Sequence, residues 1–226
     1  MFRALLSLAL ASFALLASAA RYPSYGTLQT INSSGVLNVM INNTYSSVNL
    51  FDLHIQSDLA NLIETLQAND TDIRVAVFSS ANKDSFLAHI NINYFLPGYG
   101  ASLTFNFLMA CDMRFASTSP SVILSQLETS LGTNPGAAGA MYLSHLIGRG
   151  RTFEYVLSSY DVDTVTAERI GWINTAFATS SELHTYVQGL AARIALFPAA
   201  GIAGMKQEIN AVNRPPREVS CRIRRT

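Results

Sequence analysis

Apolar residues recur along the chain at helical spacing in some segments and in short continuous runs in others. Between residues 52 and 67 they lie on one helical face, which predicts an amphipathic helix. The apolar positions of that face are Ile55, Leu59, Leu62, Ile63 and Leu66. The runs at 35–41 and 73–78 predict strands, and the second (IRVAVF) has the nearly continuous apolar character of a strand covered on both faces.

Most of the second half of the chain is predicted to be helical. Residues 101–110 contain no helix breaker and predict a buried helix, and short strands are predicted at 113–116 and 122–124. Further helices are predicted at 138–147, 151–158, 164–170, 181–197 and 199–212. Ser181 can cap the helix at 181–197. Strand–helix alternation followed by helices indicates an α/β fold, and we assign residues 21–212 to one domain.

The first twenty residues have a different character. Arg3 is followed by an uncharged run over 4–20, and the small residues Ala17-Ser18-Ala19 stand just before Arg21. This pattern predicts a signal peptide over residues 1–20 that is cleaved, with delivery to the secretory pathway or the extracellular space. A retained membrane anchor is the alternative, because a spanning helix needs about 17–25 residues. After cleavage we expect no membrane association.

Composition narrows the classes of function. Hydrophobic residues make up 49% of the 226-residue chain, which is enough for a full core. The formal net charge is zero, so no excess of positive charge indicates a surface that binds nucleic acid. The basic segment 213–226 is predicted to be a disordered tail. Two cysteines exclude a disulfide-rich scaffold, and Cys111 is predicted to be buried. No Cys/His/Asp spacing suggests a metal site.

Secretory entry is also consistent with three N-x-S/T triplets, which begin at Asn32, Asn42 and Asn69. Such triplets also arise by chance. They therefore support the signal-peptide prediction only modestly.

Three ordered segments resemble the crotonase (enoyl-CoA hydratase/isomerase) family. The first contains ACDMRFA at 110–116 and an E-x-x-x-G-x-x-P-G-A-x-G pattern at 128–139. The second, 85–91, resembles the F-x-A-G-A-D loop, and the third, 166–174, is similar to the A-E-x-G-L-V-N element. The resemblance covers residues 27–212. It implies a crotonase-like spiral of ββα units with a helical C-terminal region that forms a homotrimer.

The same resemblance implies a site for acyl-CoA thioesters, with no cofactor besides the coenzyme A carried by the substrate. In this family two backbone N–H groups stabilise the enolate that forms on the thioester oxygen, and carboxylates move the proton. By position, Ile90 and Leu103 would supply the N–H groups. Ala88, His89 and Gly136 would line the substrate site.

This sequence departs from the family pattern at the predicted site. Leu103 stands within a run where the family has glycines, and the first catalytic glutamate of the family falls on Asn106. The second falls on Glu128, which is kept. A single carboxylate favours double-bond isomerisation over hydration. The alternative is an inactive relative, or the product of a truncated gene, that acts only in binding.

A larger departure lies at 91–98, where the family has a helix and a core parallel strand. A parallel crossover needs about a dozen residues or more, so this segment is too short to replace them. A skipped exon, a damaged fold and substitution by another segment are the three explanations that remain open.

Some residues near the motifs have a simpler interpretation. Asp112 is predicted to be structural, as a cap or as a partner of Arg114. His89 is expected to orient or pack rather than act as a base. The glycines at 136 and 139 predict a tight turn, because no Lys-Ser/Thr follows them as in a phosphate loop.

Overall fold

The computed structural model describes residues 22–46, 49–69, 72–82, 86–87, 104–132 and 138–215. The predicted signal peptide, the short segment 91–98 and most of the basic tail lie outside these ranges. The strands are β1 Leu28–Ser33, β2 Val36–Ile41, β3 Val75–Ser80, β4 Phe115–Ser117, β5 Ile123–Leu124, β6 Val162–Asp163 and β7 Thr175–Phe177. The helices are α1 Leu53–Asn69, α2 Thr104–Ala110, α3 Gly139–Ile147, α4 Arg149–Ser158, α5 Thr164–Ile170, α6 Ser180–Ala195 and α7 Ala199–Asn213, with a 3-10 helix at Glu128–Leu131.

The first half of the fold is a hairpin followed by a parallel crossover. Strands β1 and β2 are antiparallel, and β2 and β3 are parallel with α1 between them. The hairpin turn places Ser34 and Gly35 at φ angles of 51° and 81°, as a two-residue type I′ turn requires. A Cβ on Gly35 would also lie 3.2 Å from the carbonyl oxygen of Asp72. Glycine is therefore needed at this turn.

The N-terminal cluster of buried residues fills the space between this sheet and α1. Its members are Tyr22, Leu28, Leu37, Val39, Ile41, Phe51, Ile55, Leu59 and Leu62. The predicted helical face of α1 is confirmed except at Ile63, which is 53% exposed at the edge of the face. Asp52 caps α1, since its carboxylate accepts a hydrogen bond from the Ile55 N–H at 3.0 Å.

The second half packs around the C-terminal cluster of buried residues. Its members are Met109, Leu124, Leu143, Ile147, Val156, Val162, Ala167, Ile170, Trp172 and Ile173. Two short sheets border it, with β4 parallel to β7 and β5 antiparallel to β6. Trp172 is completely buried, and its ring centroid lies 6.1 Å from that of Tyr155.

Helix α6 covers the first sheet. Gln188 on its exposed side donates a hydrogen bond to the Asn38 side chain of β2 at 2.7 Å, although the two residues are 150 positions apart. The predicted cap at Ser181 is wrong, because Thr179 and Glu182 form a capping box and Ser181 lies inside the first turn. The helix ends at Ala195 rather than at 197, since the chain turns before Pro198.

The last helix, α7, contains no buried residue. Met205, Ile209 and Val212 on it are 58%, 56% and 75% exposed. Within the described ranges, no single helix has the length and apolarity of a membrane-spanning helix. Helices α6 and α7 reach that length and apolarity only together, and they are bent by 110° at their junction.

Candidate active site

Glu128 is the first residue of the 3-10 helix, and β5 fixes its place in the fold. Pairing of β5 with β6 anchors the preceding chain, and Leu127 (φ −89°, ψ 0°) turns it into the 3-10 helix. Gly132 ends this helix at φ 73°. Glu128 is half-buried, and its Oε2 atom is shielded from solvent. One oxygen of this carboxylate is therefore held inside the fold.

The residues just before Glu128 also place polar groups in the interior. Gln126 is only 1% exposed, and the Ser125 hydroxyl is buried as well. Among the described residues, neither the hydroxyl nor either polar atom of the Gln126 amide has a hydrogen-bond partner. The sequence reasoning missed Gln126. Its only signal was a long polar side chain that, together with Ser125, interrupts the apolar residues Leu124 and Leu127.

Helix α2 carries Asn106 and lies between the two clusters. Phe107 packs on the N-terminal cluster, with its ring centroid 5.0 Å from that of Phe78, and Met109 belongs to the C-terminal cluster. The helix begins at Thr104, so Leu103 directly precedes its first residue. The predicted helix at 101–110 is thus confirmed from residue 104 onward. The Asn106 side chain lies outside the described part.

The motif that follows α2 forms a clamp between distant segments. Arg114 donates from Nε to the Trp172 carbonyl at 2.9 Å and from Nη1 to the Cys111 carbonyl at 2.6 Å. Asp112 forms a salt bridge with Lys206 of α7 at 2.6 Å, between side chains that are about half exposed. Asp112 is therefore paired with Lys206 rather than with Arg114 as predicted. The Arg114 side chain donates to backbone carbonyls instead.

Cys111 carries a free thiol that is only partly accessible. Burial raises its pKa to about 11. The thiol is consequently protonated at neutral pH, and Cys111 is a poor nucleophile there. Its Sγ atom lies 3.4 Å from the Phe107 carbonyl. Cys111 is half-buried and belongs to neither cluster of buried residues, so the predicted burial is confirmed only in part.

The other predicted site residues lie outside the described ranges. These are Ala88, His89, Ile90, Leu103 and Gly136. Phe86 and Leu87, which directly precede Ala88, pack against the N-terminal cluster. The chain that leads to the predicted loop is therefore anchored on the same core that supports Phe107 of α2.

Two surface hollows of the described part lie away from Glu128. One of about 580 Å³ is lined by residues 42–46 and Asn49 together with Ala81 and Asn82. Its two buried asparagines already have hydrogen-bond partners: the Asn43 side chain donates to Asp52 and the Asn49 side chain to the Ile41 carbonyl. Glu128 does not line this hollow, so the hollow has no part in the predicted chemistry. No group of His, Cys, Asp and Glu suited to a metal ion occurs within the described residues.

Comparison with solved structures shows the fold directly. A Streptomyces avermitilis protein assigned as an enoyl-CoA hydratase superposes with a TM-score of 0.79 and 33% identity, over 88% of this chain and 82% of that one. A Thermobifida fusca protein assigned as an enoyl-CoA hydratase, solved in complex with acetoacetyl-CoA, gives a TM-score of 0.70 at 17% identity, over 90% and 92% of the two chains. The predicted crotonase-like α/β fold is confirmed.

Sequence comparison shows the family. The short-chain-enoyl-CoA hydratase of Clostridium acetobutylicum is 30% identical over 119 residues, which are 53% of this chain and 43% of that protein. The matched part spans 41% and 43% of the first two curated relatives. The sequence profile of enoyl-CoA hydratase/isomerase matches residues 87–225, more than half of the chain. The chain therefore belongs to the enoyl-CoA hydratase/isomerase family.

Proposed function

We propose that this protein binds an acyl-CoA thioester and moves a proton within the acyl chain, using Glu128 as its one carboxylate. The observation that carries the proposal is the place of Glu128 at the start of the 3-10 helix, with one oxygen buried in the fold. The acetoacetyl-CoA complex of the T. fusca protein supports a thioester ligand. No cofactor is required besides the coenzyme A that the substrate carries.

The proposed reaction is isomerisation of a 3-enoyl-CoA to the 2-enoyl-CoA. Backbone N–H groups of Ile90 and Leu103 hold the thioester oxygen, with Ala88, His89 and Gly136 around the acyl group. The Glu128 carboxylate removes a proton from the α carbon, and the electrons move through the double bond system to give a dienolate. The carboxylic acid so formed returns the proton at the γ carbon. Hydration would also require a held and activated water, and Asn106 cannot exchange a proton at neutral pH.

The test compares the purified protein on a 3-enoyl-CoA and on a 2-enoyl-CoA of equal chain length. Isomerisation is expected to be faster than hydration. A hydration rate above the isomerisation rate would contradict the single-carboxylate proposal. Ligand-induced thermal shift, measured on the same samples, reports binding separately from turnover.

A non-catalytic binding protein is the second candidate. It is favoured by Asn106 at the position of a catalytic glutamate and by Leu103 in place of glycine. Thermal stabilisation by both thioesters, with turnover of neither, would support this candidate and exclude the isomerase.

We also propose that the protein enters the secretory pathway. Expression in a secreting host is expected to give a mature chain that begins near Ala20 or Arg21, because Ala17-Ser18-Ala19 suits signal peptidase. N-terminal sequencing and a mass change after deglycosylation measure the result. An intact Met1 together with no glycan at any of the three N-x-S/T sites would contradict it.

The exposed apolar side of α7 supports a homotrimer. Ile209, 56% exposed, is expected to lie in the subunit contact, so Ile209→Glu should shift the mass toward the monomer in light scattering. Gln207→Glu adds the same charge to an exposed position of α7 and serves as the control. A wild-type protein that stays monomeric at high concentration would exclude the trimer.

A further inference from the structure

Gln126 is a buried amide for which packing alone gives no reason. It is 1% exposed, two residues after Leu124 of the C-terminal cluster, and neither polar atom of its amide is hydrogen-bonded within the described part of the chain. A buried amide without partners costs stability, and native proteins contain few of them. A leucine would fill a similar volume without that cost. The burial of this amide is explained if it binds a polar group when the site is occupied.

The position of Gln126 indicates which group that is. One residue separates it from Glu128, so the two Cα atoms lie at most about 7.6 Å apart. Leu127 turns the chain between them, and the Glu128 Oε2 atom is buried like the Gln126 amide. Both side chains are long enough to meet directly or across one buried water, and a buried water needs such polar partners.

Building on the proposed function, we propose that Gln126 is a positioning residue for Glu128. Its Nε2–H group donates a hydrogen bond to the Glu128 carboxylate, directly or through one buried water, when the thioester is bound. This fixes one carboxylate oxygen and turns the other toward the α carbon. Gln126 itself exchanges no proton.

The test is Gln126→Leu, which keeps the volume and removes the hydrogen bonds. Turnover of a 3-enoyl-CoA (kcat) is expected to fall about tenfold or more, because a hydrogen bond to a charged group is lost. KM should stay unchanged, and the melting temperature should stay or rise, because a buried amide is removed. Gln126→Asn keeps the amide on a shorter side chain and should recover part of kcat.

The control is Gln188→Leu, which removes an exposed amide that bonds Asn38 and should leave kcat unchanged. Unchanged kcat in Gln126→Leu would overturn the positioning role and leave the proposed function standing. If Gln126→Leu lowers the melting temperature together with kcat, Gln126 acts in packing, and the positioning role is overturned as well. Absence of turnover in the wild type would overturn the proposed function, and this inference with it.

Discussion

Glu128→Gln is expected to lower the rate of 3-enoyl-CoA isomerisation by about 10²–10⁴-fold, the usual contribution of a general acid–base group. The glutamine keeps the size and polarity of the side chain at the start of the 3-10 helix but cannot take the α proton. Thioester binding should be nearly unchanged, because the proposed N–H donors are backbone groups. The ligand-induced thermal shift should therefore match that of the wild type.

Glu154→Gln is the matched control for this experiment. It makes the same substitution on an exposed position of α4 and should change neither rate nor binding. Full activity in Glu128→Gln would remove Glu128 from the mechanism. Loss of binding together with activity would place the carboxylate in ligand recognition instead of proton transfer.

Trp172→Ala is expected to lower the free energy of unfolding by about 3–5 kcal/mol, the range for truncating a large buried aromatic residue. Trp172 is fully buried in the C-terminal cluster, against Tyr155, and its carbonyl accepts the Arg114 Nε–H. Removal of the indole leaves a cavity within the C-terminal cluster, next to Tyr155. Urea unfolding followed by circular dichroism measures the change.

Tyr160→Ala provides the comparison, because Tyr160 is 67% exposed and its removal should change stability by no more than about 0.5 kcal/mol. Equal stability of the two variants would show that the C-terminal cluster does not depend on the indole. A large loss in Tyr160→Ala would instead point to a contact of this exposed ring in an assembly.

Helices were predicted well from the sequence because their apolar faces repeat over several turns. Strand β1 was not predicted, because half of its sequence LQTINS is polar. It forms a strand through its pairing with β2, which the sequence alone does not show. The cap of α6 was assigned to Ser181 because several polar residues there can cap. Only the reciprocal bonds of Thr179 and Glu182 identify the true start.

For the candidate site, the sequence indicates positions where a motif is present, and the roles of those residues stay predictions. The position of Glu128 follows from the E-x-x-x-G-x-x-P-G-A-x-G pattern, whereas its half-burial is seen only in the folded chain. Gln126 and the Lys206–Asp112 salt bridge were not predictable, because each depends on packing between segments that are distant in the sequence. The roles of Ala88, His89, Ile90, Leu103 and Gly136 remain predictions from family position.

The bond between Gln188 and Asn38 has a consequence for how the chain folds during synthesis. Strands β2 and β3 are made long before α6, which packs against both of them. At about 5–20 residues per second, the 150 residues between the two partners take roughly 8–30 s to produce. During that interval part of the first sheet is uncovered. Aggregation of nascent or truncated chains should therefore begin at this sheet, and chaperone binding should be strongest before α6 is complete.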